Sequence, residues 1–190
     1  MRPISICLAV TAAFVSPALA HTGVAHVNSF ASGIAHPLHG ADHILAMAAI
    51  GLWAVLAGGR AIWVWPAAFM ATMLAGFAAA TFGLPMAFVE PAIASSVVIL
   101  GLLVALAVKA PVWFGAAISG LFAFFHGHAH GAEVAAASLV PYAAGFVLAT
   151  AGLHATGIGL GLLAQNSIGN AALRAMGGLA VLGGLALIAG

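Results

Sequence analysis

Apolar runs of about 20 residues recur along almost all of this chain, and they restrict its fold more than any other feature. A helix of that length crosses the hydrocarbon core of a bilayer. Only 4% of the residues are charged, against roughly 25% in soluble domains. So few charged residues could not cover a water-exposed surface. A chain in lipid must satisfy its own backbone hydrogen bonds, and no alternating pattern indicates a barrel. The sequence therefore predicts an all-α, polytopic membrane protein.

The N-terminus has the parts of a secretory signal peptide. A short basic start and an apolar stretch precede a small-x-small cleavage site, Ala-Leu-Ala at residues 18–20. We predict a cleavable signal peptide over residues 1–20 and one transmembrane domain over residues 21–190. The alternative is an uncleaved first span. Cleavage removes Cys7, the single cysteine, so that any metal site must use histidine and carboxylate.

Six apolar spans are predicted after a short external segment that begins at His21. They lie near residues 37–57, 61–83, 91–109, 112–131, 139–163 and 169–189. If His21 lies outside the cytoplasm, the links after spans one, three and five face the cytoplasm. Those links hold Arg60, Lys109 and, at the start of span six, Arg174, which are all the basic residues of the mature chain. The positive-inside rule thus agrees with the orientation that the signal peptide predicts.

The first predicted span opens with a cluster of polar residues. Its members are His36, His39, Asp42 and His43. Pro37 fits the first turn of a helix, where its missing N–H costs nothing. The three histidines are three and four residues apart, so we expect them to line one helical face with Asp42 beside it. Histidines at i and i+4 can bind one metal ion.

The fourth predicted span ends with Phe-His-Gly-His-Ala-His-Gly-Ala-Glu at residues 125–133. His126, His130 and Glu133 fall on one helical face, at spacings of four and three. His128 points elsewhere if the helix continues. A second interpretation is that the two glycines loosen the helix and let backbone carbonyls join a site.

On the predicted topology both motifs lie at the outer end of the bundle, and Glu90 begins span three there. A charged group in a span costs roughly 2.5–3.5 kcal/mol, and on this topology every lysine and arginine of the mature chain lies on the side opposite to Asp42 and Glu133. A divalent cation would neutralise them, and imidazole suits nickel, copper, zinc and iron. The candidate metal ligands are His36, His39, Asp42, His43, His126, His128, His130 and Glu133. Some of them could instead orient the ligands.

The remaining histidines are interpreted more conservatively. His154, well into span five, is read as a hydrogen-bonded packing residue, with a later stop on an ion path as the alternative. His21 and His26 lie near the N-terminus that cleavage of the signal peptide would create, and we interpret them as part of a mobile tail.

The two motifs carry a family resemblance. His36, five intervening residues and Asp42-His43, continued by Gly-Leu-Trp-Ala at residues 51–54, resemble the first-span signature of the HupE/UreJ family. Residues 125–133 resemble its fourth-span signature. The resemblance covers nearly the whole chain and implies a nickel or cobalt permease of the bacterial inner membrane, associated with hydrogenase or urease maturation. It carries over a ligand set of His36, Asp42, His43, His126, His130 and Glu133. The resemblance alone identifies the metal.

The sequence thus predicts a secondary permease that takes up nickel or cobalt from the periplasm, and no enzyme. We expect no tightly bound cofactor, with Ni²⁺ or Co²⁺ as the transported substrate, the lipid bilayer as the surroundings and no nucleic acid as a partner. No glycine-rich phosphate loop of the Walker type is present in the sequence. The alternatives are a metal-dependent membrane enzyme and a non-transporting metal sensor or haem anchor. Homo-oligomerisation is left open.

Overall fold

Helices account for the regular structure of the chain. The computed structural model describes residues 30–134, 139–167 and 169–189, and within these ranges it contains seven helices and no strand. The helices are α1 (Phe30–His39), α2 (Ala41–Ala57), α3 (Ala61–Thr81), α4 (Val89–Ala105), α5 (Val112–Glu133), α6 (Leu139–Ser167) and α7 (Asn170–Ala189). The all-α class is confirmed. The predicted signal peptide, His21 and His26 lie outside the described residues.

Four helices are long and apolar enough to cross a bilayer, namely α3, α5, α6 and α7. The pair α1 and α2 passes the same test when the two are taken together as one bent span. Helix α4 is apolar and has 17 residues, which corresponds to about 26 Å of helix. The described residues are therefore compatible with six spans, and that number stays a prediction.

The start of the first span differs from the sequence prediction. The chain does not form one helix from residue 37; α1 and α2 meet at Gly40 with a bend of 82°. Pro37 is buried inside α1 and does not occupy the first turn of a helix. Part of the segment predicted to be external is therefore helical. Because the bend separates His39 from His43, the expected single face of three histidines does not exist.

Glycines in the fourth-span motif allow α3 and α5 to pack side by side in parallel. A Cβ atom on Gly127 would collide with the backbone carbonyl of Met73, and one on Gly76 would collide with the carbonyl of Phe124. Helix α5 runs without interruption to Glu133. The glycines therefore serve close backbone contact, and the interpretation that they loosen the helix is wrong.

Helix α6 packs in the same way against the bent first span. A Cβ on Gly51 of α2 would meet backbone atoms of His154, and one on Gly157 of α6 would meet backbone atoms of Ala48. Backbone contact at both positions fixes the two helices in register. The register decides which α6 side chains face the centre of the bundle.

The polar residues separate to the two ends of the bundle. Arg60, Lys109 and Arg174 lie at or beside helix termini at one end, which we call the basic end. The junction of α1 and α2 and the last turns of α5 lie at the other end, which we call the histidine end. Towards the basic end the rings of Trp53 and Trp65 pack with their centroids 4.2 Å apart. Both side chains are fully buried there and fill the centre of the bundle.

Candidate metal-ion site

Four imidazole rings gather at the histidine end, and we call them the histidine cluster: His36, His43, His126 and His130. The ring centroid of His130 lies 4.7 Å from that of His36 and 4.8 Å from that of His43. The centroids of His43 and His126 are 4.9 Å apart. Two motifs that are about 90 residues apart in sequence therefore meet at one place in the fold.

The bend at Gly40 and the pitch of α5 assemble this cluster. His36 comes from α1 and His43 from the first turn of α2, so the two arms of the bend approach the same point from different directions. His126 and His130 are one turn apart on α5 and face that point together. An unbent first span would place His36 and His43 about two turns apart along one helix.

Hydrogen bonds fix the orientation of two rings in the cluster. The Asp42 carboxylate accepts a hydrogen bond from Nδ1 of His43 at 2.8 Å, and the carbonyl of Phe122 accepts one from Nδ1 of His126 at 2.9 Å. Because these oxygens only accept, Nδ1 carries a proton, and in the neutral ring that binds a metal the lone pair is on Nε2. Both Nε2 atoms are buried, and neither has a hydrogen-bond partner among the described residues. Imidazoles that bind metals in proteins are commonly oriented in this way.

Glu133 extends the cluster towards the surface. Its Oε2 lies 3.6 Å from Nε2 of His36, and the two side chains are 28% and 16% exposed. His43, His126 and His130 are buried almost completely. Exposure thus falls from Glu133 through His36 to the buried rings, which gives the cluster a polar approach from the end of the bundle.

Besides its contact with His43, Asp42 borders an open cleft. The cleft is also lined by residues from the start of α4 and the end of α7, namely Glu90, Pro91, Ala94, Ser95, Leu187 and Ile188. The three acids of the chain, Asp42, Glu90 and Glu133, therefore all lie at the histidine end.

Two sequence candidates lie apart from the cluster. His39 is exposed near the end of α1, and its Nδ1 donates to the carbonyl of Ala35 at 2.6 Å. Nε2 of His128 donates to the carbonyl of Leu84 at 2.8 Å and so faces the α3–α4 loop. His128 is two residues from both His126 and His130, and residues with that spacing do not share a helical face.

His154 of α6, which the sequence analysis interpreted as a packing residue or a later stop on an ion path, lies beside the cluster. Its Nδ1 donates to the carbonyl of Met47 at 2.9 Å. Its ring centroid is 5.0 Å from that of Phe69, which is itself 5.6 Å from that of His126. The hydrogen bond agrees with the packing interpretation, but it occupies only one of the two ring nitrogens.

The ligand atoms do not form a closed cage. In the ranges that the structure describes, no three histidine, aspartate, glutamate or cysteine side chains are arranged to hold one metal ion together. Structural zinc sites, by contrast, close four ligands around the ion. The four imidazoles are instead neighbours in pairs, and the carboxylates of Asp42 and Glu133 lie next to His43 and His36.

Comparisons with known proteins agree with the resemblance of the two motifs. The family model described as HupE / UreJ protein matches residues 8–187. Protein HupE of Rhizobium leguminosarum bv. viciae is 44% identical over 181 residues, which cover 94% of this chain and 95% of that protein. No solved structure matches the chain. Since the match spans both histidine motifs, the chain belongs to the HupE/UreJ family, a family of nickel and cobalt transporters.

Proposed function

We propose that the protein is a secondary permease that takes up Ni²⁺ or Co²⁺ from the periplasm across the bacterial inner membrane. The observation that carries the proposal is the pair of buried Nε2 lone pairs on His43 and His126, inside a bundle of membrane-spanning helices. A buried polar atom with no partner is costly, and polar residues inside spans commonly mark an ion path. A divalent transition-metal ion supplies the missing partner.

The open arrangement of the cluster favours transit over storage. An ion path needs sites that bind strongly enough for entry and weakly enough for release. The imidazoles of His43 and His126, held by Asp42 and Phe122, offer nitrogen ligands without a closed coordination shell. The ion exchanges only part of its water at each position, so each step has a small barrier.

The charges of the chain set a direction for this transport. The acids lie at the histidine end and attract a cation there, whereas the basic residues lie at the opposite end. With the basic end in the cytoplasm, the ion enters from the periplasm. The membrane potential supplies about 2.3 kcal/mol per charge per 100 mV, so a dication gains about twice that on entry. This driving force requires no nucleotide.

The choice of nickel or cobalt rests on the family and on the relative named Protein HupE. Imidazole and carboxylate ligands bind several divalent transition metals, and affinity alone does not select one of them. Uptake competition among nickel, cobalt, zinc and copper in one preparation measures the preference directly. We expect nickel or cobalt to compete best at equal free concentration.

The main test is uptake of radioactive nickel into proteoliposomes that contain the purified protein. We expect uptake to fall at least tenfold in His43→Ala and in Glu133→Ala, because one change removes a buried ligand and the other removes the outer carboxylate. His39→Ala is the matched control, since this histidine belongs to the same motif but lies outside the cluster. Uptake that survives both changes at the wild-type rate would overturn the proposed mechanism.

A second test concerns orientation. A topology reporter fused after Glu133 should be active on the periplasmic side, and one fused after Lys109 on the cytoplasmic side. The opposite pair of results would place the carboxylates in the cytoplasm and exclude capture from the periplasm.

A further inference from the structure

A buried imidazole lies deeper in the bundle than the histidine cluster. His154 of α6 is 1% exposed, and its Nδ1 donates to the backbone carbonyl of Met47 at 2.9 Å. A carbonyl oxygen only accepts hydrogen bonds, so the proton lies on Nδ1 and the lone pair on Nε2. That Nε2 is buried, and in the part of the chain that the structure describes it has no hydrogen-bond partner.

The ring of His154 is held rigidly. Gly51 of α2 contacts the backbone at His154, and Gly157 of α6 contacts the backbone of Ala48. These contacts lie within one helical turn of the hydrogen bond to Met47 and keep the two helices at a fixed distance. The direction of the Nε2 lone pair is therefore set by the backbone of the bundle.

His154 lies one step further from the histidine end than the cluster. Met47, which accepts its hydrogen bond, follows His43 by one helical turn, a rise of about 6 Å towards the basic end. The ring of Phe69 neighbours both imidazoles, with its centroid 5.6 Å from that of His126 and 5.0 Å from that of His154. The two imidazoles thus have the same hydrogen-bond arrangement, with Nδ1 donating to a backbone carbonyl, and they share one aromatic neighbour.

We propose that Nε2 of His154 is a second coordination point for the transported ion, which arrives from His126 past the Phe69 ring. The inference rests on the proposed function and adds a specific inner site to it. The hydrogen bond to Met47 occupies only one ring nitrogen, and a buried polar atom without a partner is costly. His128 also has one such nitrogen, but its ring faces the α3–α4 loop, whereas His154 shares the aromatic neighbour Phe69 with His126 of the cluster. All three acids of the chain lie at the histidine end, so the inner site binds the ion by imidazole without a carboxylate. An ion held in this way keeps water ligands and leaves readily towards the basic end.

The first test places a thiolate at this position and uses Co²⁺ alone as the probe. In a Cys7→Ser background, His154→Cys should give a saturable near-ultraviolet charge-transfer band, because a metal ion deprotonates a coordinating thiol. Ala155→Cys in the same background is the matched control, since this neighbour is exposed on the outside of the bundle. We expect no band from it. A protein that transports Co²⁺ but gives no band with His154→Cys would overturn the proposal.

The second test separates coordination from packing. His154→Asn keeps an N–H donor for the carbonyl of Met47 and removes the Nε2 lone pair. We expect the maximal rate of Ni²⁺ uptake to fall about tenfold or more, while equilibrium Ni²⁺ binding at the histidine cluster changes less than about threefold. Wild-type uptake by His154→Asn would assign the residue a packing role and overturn the proposal.

The two proposals fail in different ways. Absence of Ni²⁺ uptake by the wild-type protein in proteoliposomes would overturn the proposed function itself. Normal wild-type uptake together with normal uptake by His154→Asn would overturn only the inner site. Should His154→Asn fold poorly, the charge-transfer measurement on His154→Cys still decides the question.

Discussion

The carboxylate of Asp42 accepts two hydrogen bonds from its neighbour His43, one from the backbone N–H and one from Nδ1 of the ring, each 2.8 Å long. The pair occupies the first turn of α2, where a negative charge is also stabilised by the helix dipole. One carboxylate therefore holds the start of the helix and directs the Nε2 lone pair of His43 into the cluster. Asp42 thereby couples the bend of the first span to the geometry of the site.

Replacing Asp42 with asparagine tests this coupling. The amide retains an acceptor oxygen but loses the charge that holds the ring and attracts the cation. We expect Ni²⁺ binding to weaken about 10- to 100-fold, the usual effect of losing the partner of a ligating histidine. Titration calorimetry of the purified protein measures the affinity. Ser95→Ala, which changes a residue lining the same cleft, should bind as the wild type does; an equal loss in both variants would contradict the assignment.

Gly40→Ala tests the bend by the smallest available change. A Cβ atom at this position would lie 2.7 Å from Oδ1 of Asp42 and 2.9 Å from Nδ1 of His43, so it must displace the hydrogen-bonded pair. We expect the KM for Ni²⁺ uptake to rise about tenfold while the protein still folds. Gly152→Ala is the control, because nothing lies within 4 Å of its Cβ position. That variant should keep its KM and gain up to about 1 kcal/mol of helix stability. An unchanged KM in Gly40→Ala would show that the pair tolerates displacement.

Hydrophobic runs predict most of the fold because lipid leaves helix as the only backbone structure for a spanning segment. They do not predict the break at Gly40, since Pro37 can be accommodated in a helix and the apolar pattern continues beyond it. Helical spacing correctly separates His128 from His126 and His130, but it groups His39 with His43 because spacing assumes an unbroken helix. Nothing in the sequence of the span predicts that Nε2 of His154 is buried without a hydrogen-bond partner among the described residues, because the surroundings of this atom depend on which helices pack against α6.

Gly127→Ala tests the close packing of α3 and α5. The added Cβ would collide with the backbone carbonyl of Met73, an atom that cannot rotate away. Overpacking of this kind typically costs about 1–3 kcal/mol, so we expect a lower melting temperature in detergent. Gly178→Ala on α7 is the matched control, because its Cβ position has no neighbour within 4 Å. Equal melting temperatures for Gly127→Ala and the wild type would mean that the two helices can move apart at little cost.

His128→Ala distinguishes a loop anchor from a metal ligand. Nε2 of His128 donates to the carbonyl of Leu84 in the α3–α4 loop, so its removal leaves the histidine cluster intact. The hydrogen bond contributes about 0.5–1.5 kcal/mol, and we expect faster amide exchange in the loop with unchanged Ni²⁺ affinity. His126→Ala, two residues earlier on the same helix, should show the opposite pattern, because it removes a buried Nε2 lone pair without touching the loop. A tenfold loss of Ni²⁺ affinity in His128→Ala with unaltered exchange in the loop would make His128 a ligand and would contradict the orientation described for it.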